Sequence, residues 1–160
     1  ILSETGLSPS SLELELTERS LFADISKTAE ILATLHALGI TIAIDDFGIE
    51  YSSFGYLKRF PIQAVKIDRS FVQDILLNPH DAAIAKAIMT LAHTLQMRII
   101  AEGVETKGQL DFLAAHACHD IQGYWFSKPI CLEAITELLQ QDDPWTKSMT
   151  DRLQSTITPD

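Results

Sequence analysis

Positive charge is scarce in this sequence: 12 lysines and arginines stand against 22 acids in 160 residues, a formal net charge of −10. Proteins that grip nucleic acid by its phosphates need a basic face, so no nucleic acid polymer is expected as a partner. Long apolar runs are lacking too. None approaches the roughly 18 residues of a membrane span, and no signal peptide opens the chain, so no membrane segment is expected. Cysteine is limited to Cys118 and Cys131, with no C-x-x-C pair. That usage suits a reducing cytoplasm and argues against a disulfide scaffold or a thiolate zinc site. With 46% apolar and 21% charged residues, what remains is an acidic, cytoplasmic globular domain.

Five short β-branched or apolar runs predict strands: Leu12–Leu16, Ile40–Ile44, Ala64–Ile67, Arg98–Ala101 and, most weakly, Ile121–Gly123. Amphipathic stretches separate them. Ile31, Leu35 and Leu38 recur at helical spacing and end at Gly39. Ile84, Ile88, Leu91 and Leu95 follow the helix-start signal Asn78-Pro79, and Leu110, Leu113 and Ala117 follow Thr106. A last helix is expected from Glu133 to about Gln140. Strands alternating with helices at this rhythm read as repeated βα units. Residues 1–141 are expected to form the domain and 142–160 a polar tail.

The ends of these strands carry the chemistry. Glu15 and Glu18 close the first, Asp45-Asp46-Phe47-Gly48 the second, Lys66 and Asp68 the third, Glu102 and Glu105 the fourth, and Gln122 the fifth. Any one of them reads most simply as a cap or loop residue. Five successive strand ends are hard to explain by capping. In a βα barrel such ends converge on the catalytic face, and in a doubly wound sheet they meet at the switch-point crevice. Converging carboxylates repel unless a cation neutralises them. Oxygen donors without Cys or His favour Mg²⁺ or Mn²⁺. Adjacent Asp45 and Asp46 suit a pair of such ions, which stabilise the attacking and leaving oxygens of a phosphoryl displacement. The residues therefore point to metal-assisted phosphoester hydrolysis. Asp46-Phe47-Gly48 is also the metal-binding triplet of protein kinases, but no Gly-rich or His-Arg-Asp loop precedes it. His116, Cys118 and His119 sit at an expected helix end and read as surface residues rather than zinc ligands.

Six motifs in order complete the reading: Glu15-Leu16-Thr17-Glu18, Asp45-Asp46-Phe47-Gly48, Tyr51-Ser52-Ser53, Val65-Lys66-Ile67-Asp68, Ala101-Glu102-Gly103-Val104-Glu105-Thr106, and Gln122-Gly123-Tyr124 through Lys128-Pro129. Over roughly residues 1 to 140 the chain resembles the EAL-domain cyclic di-GMP phosphodiesterases. The resemblance implies an α/β fold, a partial TIM-type βα barrel of about five parallel strands with flanking helices. It implies Glu15, Asp45, Asp46 and Glu102 as ligands of two Mg²⁺ or Mn²⁺ ions, with Asp45 bridging. Lys66 would orient the attacking water and Asp68 lie beside it. Glu102 would act as ligand or general base, Gln122 would support it, and Glu18 would anchor the loop after Asp46. Cyclic di-GMP would be cleaved to linear pGpG.

Two departures shape the expectation. The family's Glu-Ala-Leu glutamate and an asparagine ligand have no counterpart beside Glu15, and the family's Thr-Gly pair in the loop reads Ile49-Glu50 here. A carboxylate in place of that glycine restricts the backbone and adds repulsion. The expectation is a phosphodiesterase domain lacking its N-terminal barrel strands and crippled in this chain alone, self-associating or completed by an N-terminal partner segment. The alternatives are a degenerate module that binds cyclic di-GMP or a protein, and a non-functional truncated product.

Overall fold

In the computed structural model, described for residues 2–49, 57, 59–118 and 120–140, strands and helices alternate along the chain. The elements are α1 (Leu2–Thr5), β1 (Glu13–Thr17), α2 (Glu18–Phe22), α3 (Ile25–Ala37), β2 (Thr41–Phe47), β3 (Ala64–Ile67), α4 (Arg69–Gln73), α5 (Pro79–Thr94), β4 (Arg98–Glu102), α6 (Lys107–Ala115), β5 (Asp120–Gln122) and α7 (Leu132–Leu139). A single 3-10 turn, Pro9–Ser11, leads into β1. The expected tail, 142–160, lies outside the described residues.

All five strands run parallel in one sheet, in the order β1-β2-β3-β4-β5. A doubly wound sheet reverses its strand order at a switch point, whereas a barrel adds each strand beside the last. The unbroken order is the barrel's. Its curvature is recorded by one ion pair. Arg98 on β4 reaches Glu13 on β1, although β2 and β3 lie between them. In a flat sheet three strand spacings would put them about 14 Å apart, so the polar face is concave.

Side chains alternate between the two faces. Ile42, Ile44, Val65, Ile67, Ile99 and Ala101 point outward and are buried with Leu21, Leu32, Val72, Ala85, Met89 and Leu113 from the helices. The helices start where local chemistry predicts. Asn78 caps α5 through His80 N, and Thr106 caps α6 in a reciprocal capping box with Gln109. Gly39 ends α3 with φ +90.

Three details differ from the sequence reading. β2 continues three residues past Ile44, to Phe47. Its register against β3 matches Ile44 with Val65 and Phe47 with Ile67, so β2 carries one extra residue there. The prediction stopped at Ile44 because the apolar run ends there, and the strand continues through the two aspartates to Phe47 across this bulge. Next, α6 stops at Ala115, and Ala117 lies beyond it with φ +59. Last, the five-residue helices α2 and α4 escaped notice because so short a segment shows no period.

Candidate active site

Lys66 lies midway along β3 with its side chain only 4% exposed. Its Nζ donates to Glu15 Oε2 on β1 at 2.7 Å, and it lies 3.2 Å from Asp45 Oδ1 on β2 and 2.6 Å from Glu102 Oε1 on β4. An ammonium has three protons, and here three carboxylates from three different strands meet it. Burial opposes the charge on Lys66, but hydrogen bonds with Glu102, Glu15 and Asp45 outweigh it and raise the pKa well above the ordinary lysine value. The group is charged throughout the physiological range.

The bulge in β2 sets the second acid. Neighbours on a regular strand face opposite ways, so Asp45 and Asp46 would diverge. With the extra residue inserted, Asp46 adopts φ +55 and its backbone N–H donates to Asp45 Oδ1 at 3.1 Å. Asp46 is not an ion-pair partner of Lys66, yet it feels the charges around it. Burial, then the charges of Asp45 and Asp68, hold its pKa above the ordinary aspartate value, against the lowering pull of Lys66.

The remaining expected residues divide. Asp68 follows β3 and caps α4 by accepting from Ser70 N at 2.9 Å. Gln122, at the end of β5, pairs in register with Glu102. Glu18 is buried at the start of α2, where Oε2 accepts from Gly48 N at 3.4 Å and Oε1 has no partner among the described residues. Gly48 has φ +97, and a Cβ there would lie 2.8 Å from Ile88 Cδ1, so that turn needs glycine. Glu50 to Ser53 lie outside the described residues; Ile49 is exposed. Glu105 stands apart from the Lys66 cluster, paired with Arg69 at 2.9 Å. Of the histidine–cysteine group, His116 Nδ1 bonds Phe112 O, Cys118 is buried, and His119 lies outside the described residues.

Two supports were not anticipated. The buried Gln109 accepts from the N–H groups of Glu105 and Thr106 at 2.8 and 2.9 Å and donates to the carbonyls of Val72 and Gln73 at 3.2 and 3.0 Å. It ties the loop after Glu102 to α4, and the Thr106-x-x-Gln109 pattern was its visible signal. Gly123 lets the loop after β5 meet Val104 backbone, where any Cβ would sit 2.3 Å from Val104 O. An open groove of about 830 Å³, lined in part by Arg98, Ile100, Asp120 and Gln122, runs along this side of the concave face. Arg98 in its lining is held by Glu13 and Asp120.

A parallel βα sheet of barrel order, with acids gathered on a lysine across its concave face, defines an α/β-barrel type of domain. The chain matches the EAL domain model over residues 1–129 and belongs to that family. It is 46% identical over 139 residues to a protein named cyclic di-GMP phosphodiesterase NbdA from Pseudomonas aeruginosa, covering 87% of this chain and 18% of that one. It is 44% identical over 130 residues to the bifunctional diguanylate cyclase/cyclic di-GMP phosphodiesterase MucR of the same species, covering 81% and 19%. Among solved structures, the PaMucR phosphodiesterase in complex with c-di-GMP superposes with a TM-score of 0.81 at 43% identity, over 84% of this chain and 54% of that one. Klebsiella pneumoniae BlrP1 with manganese and cy-diGMP gives a TM-score of 0.74 at 32% identity, over 80% and 33%. The chain thus spans about a fifth of the length of these curated relatives.

Among the described residues, no three Asp, Glu, His or Cys side chains stand ready as a metal cage. The donor chemistry nevertheless fits a hard divalent cation. Glu15, Asp45 and Glu102 offer only carboxylate oxygens and already converge on one positive charge. No helix among the described residues is long and apolar enough to cross a membrane.

Proposed function

We propose that this chain is part of a catalytic domain that hydrolyses cyclic di-GMP to linear pGpG. The observation that carries the reading is the convergence of Glu15, Asp45 and Glu102 on Lys66 in a chain of the EAL family. Glu15, Asp45, Asp46 and Glu102 would hold divalent ions, Mg²⁺ or Mn²⁺, which when bound offset phosphate charge and acidify a water. Glu102, the least exposed of the three acids on Lys66, would take the proton of the attacking water. The Lys66 ammonium would hold that water's oxygen in line with phosphorus. Water adds to phosphorus as the ester bond to the ribose oxygen breaks, and the proton balance closes when the freed alkoxide is protonated. Asp68 and Gln122 would border the reacting phosphate, and Glu18 would fix the turn at Gly48.

A second reading has one sequence feature in its favour. Glu50 adds a carboxylate to the sequence four residues after Asp46, where the family resemblance expects glycine. It would leave a module that binds cyclic di-GMP without cleaving it. Incubation with cyclic di-GMP and Mg²⁺ or Mn²⁺, followed by chromatography, separates the two. Formation of pGpG that disappears in Glu102→Ala supports hydrolysis. Saturable binding without pGpG by the chain would overturn it in favour of the binding module, and pGpG appearing in Glu50→Gly would assign the loss to that carboxylate.

A further inference from the structure

The three protons of the Lys66 ammonium face three carboxylates, on β1, β2 and β4. Those are the same carboxylates on which a divalent cation in this site would draw. We propose that Lys66 is an internal competitor for divalent ions, whose charge sets how tightly the acidic cluster binds metal. The proposal rests on the metal-dependent reading above and deepens it.

First, an acid that shifts to centre a metal lengthens or gives up its contact with the ammonium, and even where its second oxygen stays in reach the shared negative charge is divided between two cations. At 4% exposure the lysine has little water with which to replace a lost partner, so each carboxylate given up leaves a buried donor unsatisfied. Second, the two cations repel. They would share acids that span only the width of one ammonium contact, with distances of 2.6, 2.7 and 3.2 Å. At such separations in a partly buried site, Coulomb repulsion between a divalent ion and one fixed charge is large compared with thermal energy. Lys66 therefore weakens metal binding while keeping the acids together. Asp46 makes no ion pair with the ammonium, so it has no such contact to give up when an ion arrives.

The test is Mn²⁺ binding followed by electron paramagnetic resonance of free Mn²⁺, with no substrate present. Lys66→Met removes the charge at nearly constant length and is expected to tighten binding by about tenfold or more. Lys66→Arg keeps the charge and is expected to stay near wild type. Affinity in Lys66→Met that is unchanged, weaker or undetectable overturns the proposal. Should circular dichroism show that Lys66→Met does not fold, the wild-type chain decides. Its Lys66 ammonium resonance in ¹⁵N NMR is expected to shift saturably with added Mg²⁺, and a resonance that stays put while Asp45 and Asp46 amides titrate overturns the idea. The outcomes are separable from those of the functional reading. Tighter Mn²⁺ binding in Lys66→Met without pGpG formation by wild type would strike the hydrolase reading alone. Hydrolysis with Mn²⁺ affinity indifferent to Lys66 would strike only the competition.

Discussion

Replacing Gln109 by methionine tests whether one buried amide holds the loop behind Glu102. The residue is 6% exposed and its side chain makes four hydrogen bonds, two as acceptor and two as donor. Methionine has similar length and fills the space, so the change isolates the polar contribution. It strands the amides of Glu105 and Thr106 and the carbonyl of Gln73, whereas the Val72 carbonyl keeps the backbone N–H of Ile75. An unsatisfied buried group costs about 1–3 kcal/mol, but the two amides sit at a helix start where water recovers part of the loss. The net expectation is a destabilisation of about 3 kcal/mol, or a melting point lower by about 6–12 °C for a chain this long. Gln109→Glu keeps both acceptor bonds and loses both donor bonds, so it should fall short of wild type and change exchange at Glu105 and Thr106 less than methionine does. Denaturant unfolding at low protein concentration gives the energies, and amide hydrogen exchange gives the site. A loss below about 0.5 kcal/mol, the level of an ordinary surface substitution, would refute the reasoning.

Three further outcomes follow from other parts of the molecule. Burial and then the nearby Asp120 push the Cys118 thiol up to about 11, while Cys131 is exposed; native alkylation near pH 8 should therefore label Cys131 alone, and rapid modification of both would contradict the packing. Gly123→Ala drives a Cβ to 2.4 Å from Val104 N and should cost about 3 kcal/mol or more in thermal unfolding, whereas a neutral result would show that the two loops do not meet as described. The outer edges of β1 and β5 pair with no strand among the described residues, and Leu132 and Leu139 on α7 are exposed. The 160-residue chain should therefore sediment as dimers or larger species in a dilution series, and a monomer at every concentration would refute this.

How much of this was legible in the sequence depended on whether the signal was local. Asn78 and Thr106 announce their helices because a cap is a contact across two or three residues. Ala64–Ile67 was readable as a strand because an apolar β-branched run stands between turn signals. The acids at the strand ends were visible as a set, but their partner was not. Nothing in the chain order says that Lys66 collects Glu15, Asp45 and Glu102 while Glu105, only three residues from Glu102, turns to Arg69. The Glu13–Arg98 pair spans 85 residues and depends on the curvature of the whole sheet. Gln109 lay between these cases. Its capping half was written in Thr106-x-x-Gln109, and its hold on Val72 and Gln73 came only with the fold.

The charge balance of the concave face gives the acidic composition a mechanistic meaning. The strands place two cations on it, Lys66 and Arg98, and each is already committed. Lys66 is held by three acids, and Arg98 by Glu13 and Asp120. Neither has a charge to spare for an incoming phosphate. With a net charge of −10, the rest of the chain adds a long-range field that repels anions. An anionic dinucleotide could settle there only if the positive charge came with or before it. Under the proposed function, divalent ions would supply that charge and Lys66 would be released from part of its acid cage as they enter. Its ammonium would then be free to meet a water or a phosphate oxygen. The same carboxylates would hold the lysine in one arrangement and the metal in the other, so metal loading and the arming of Lys66 would be a single event.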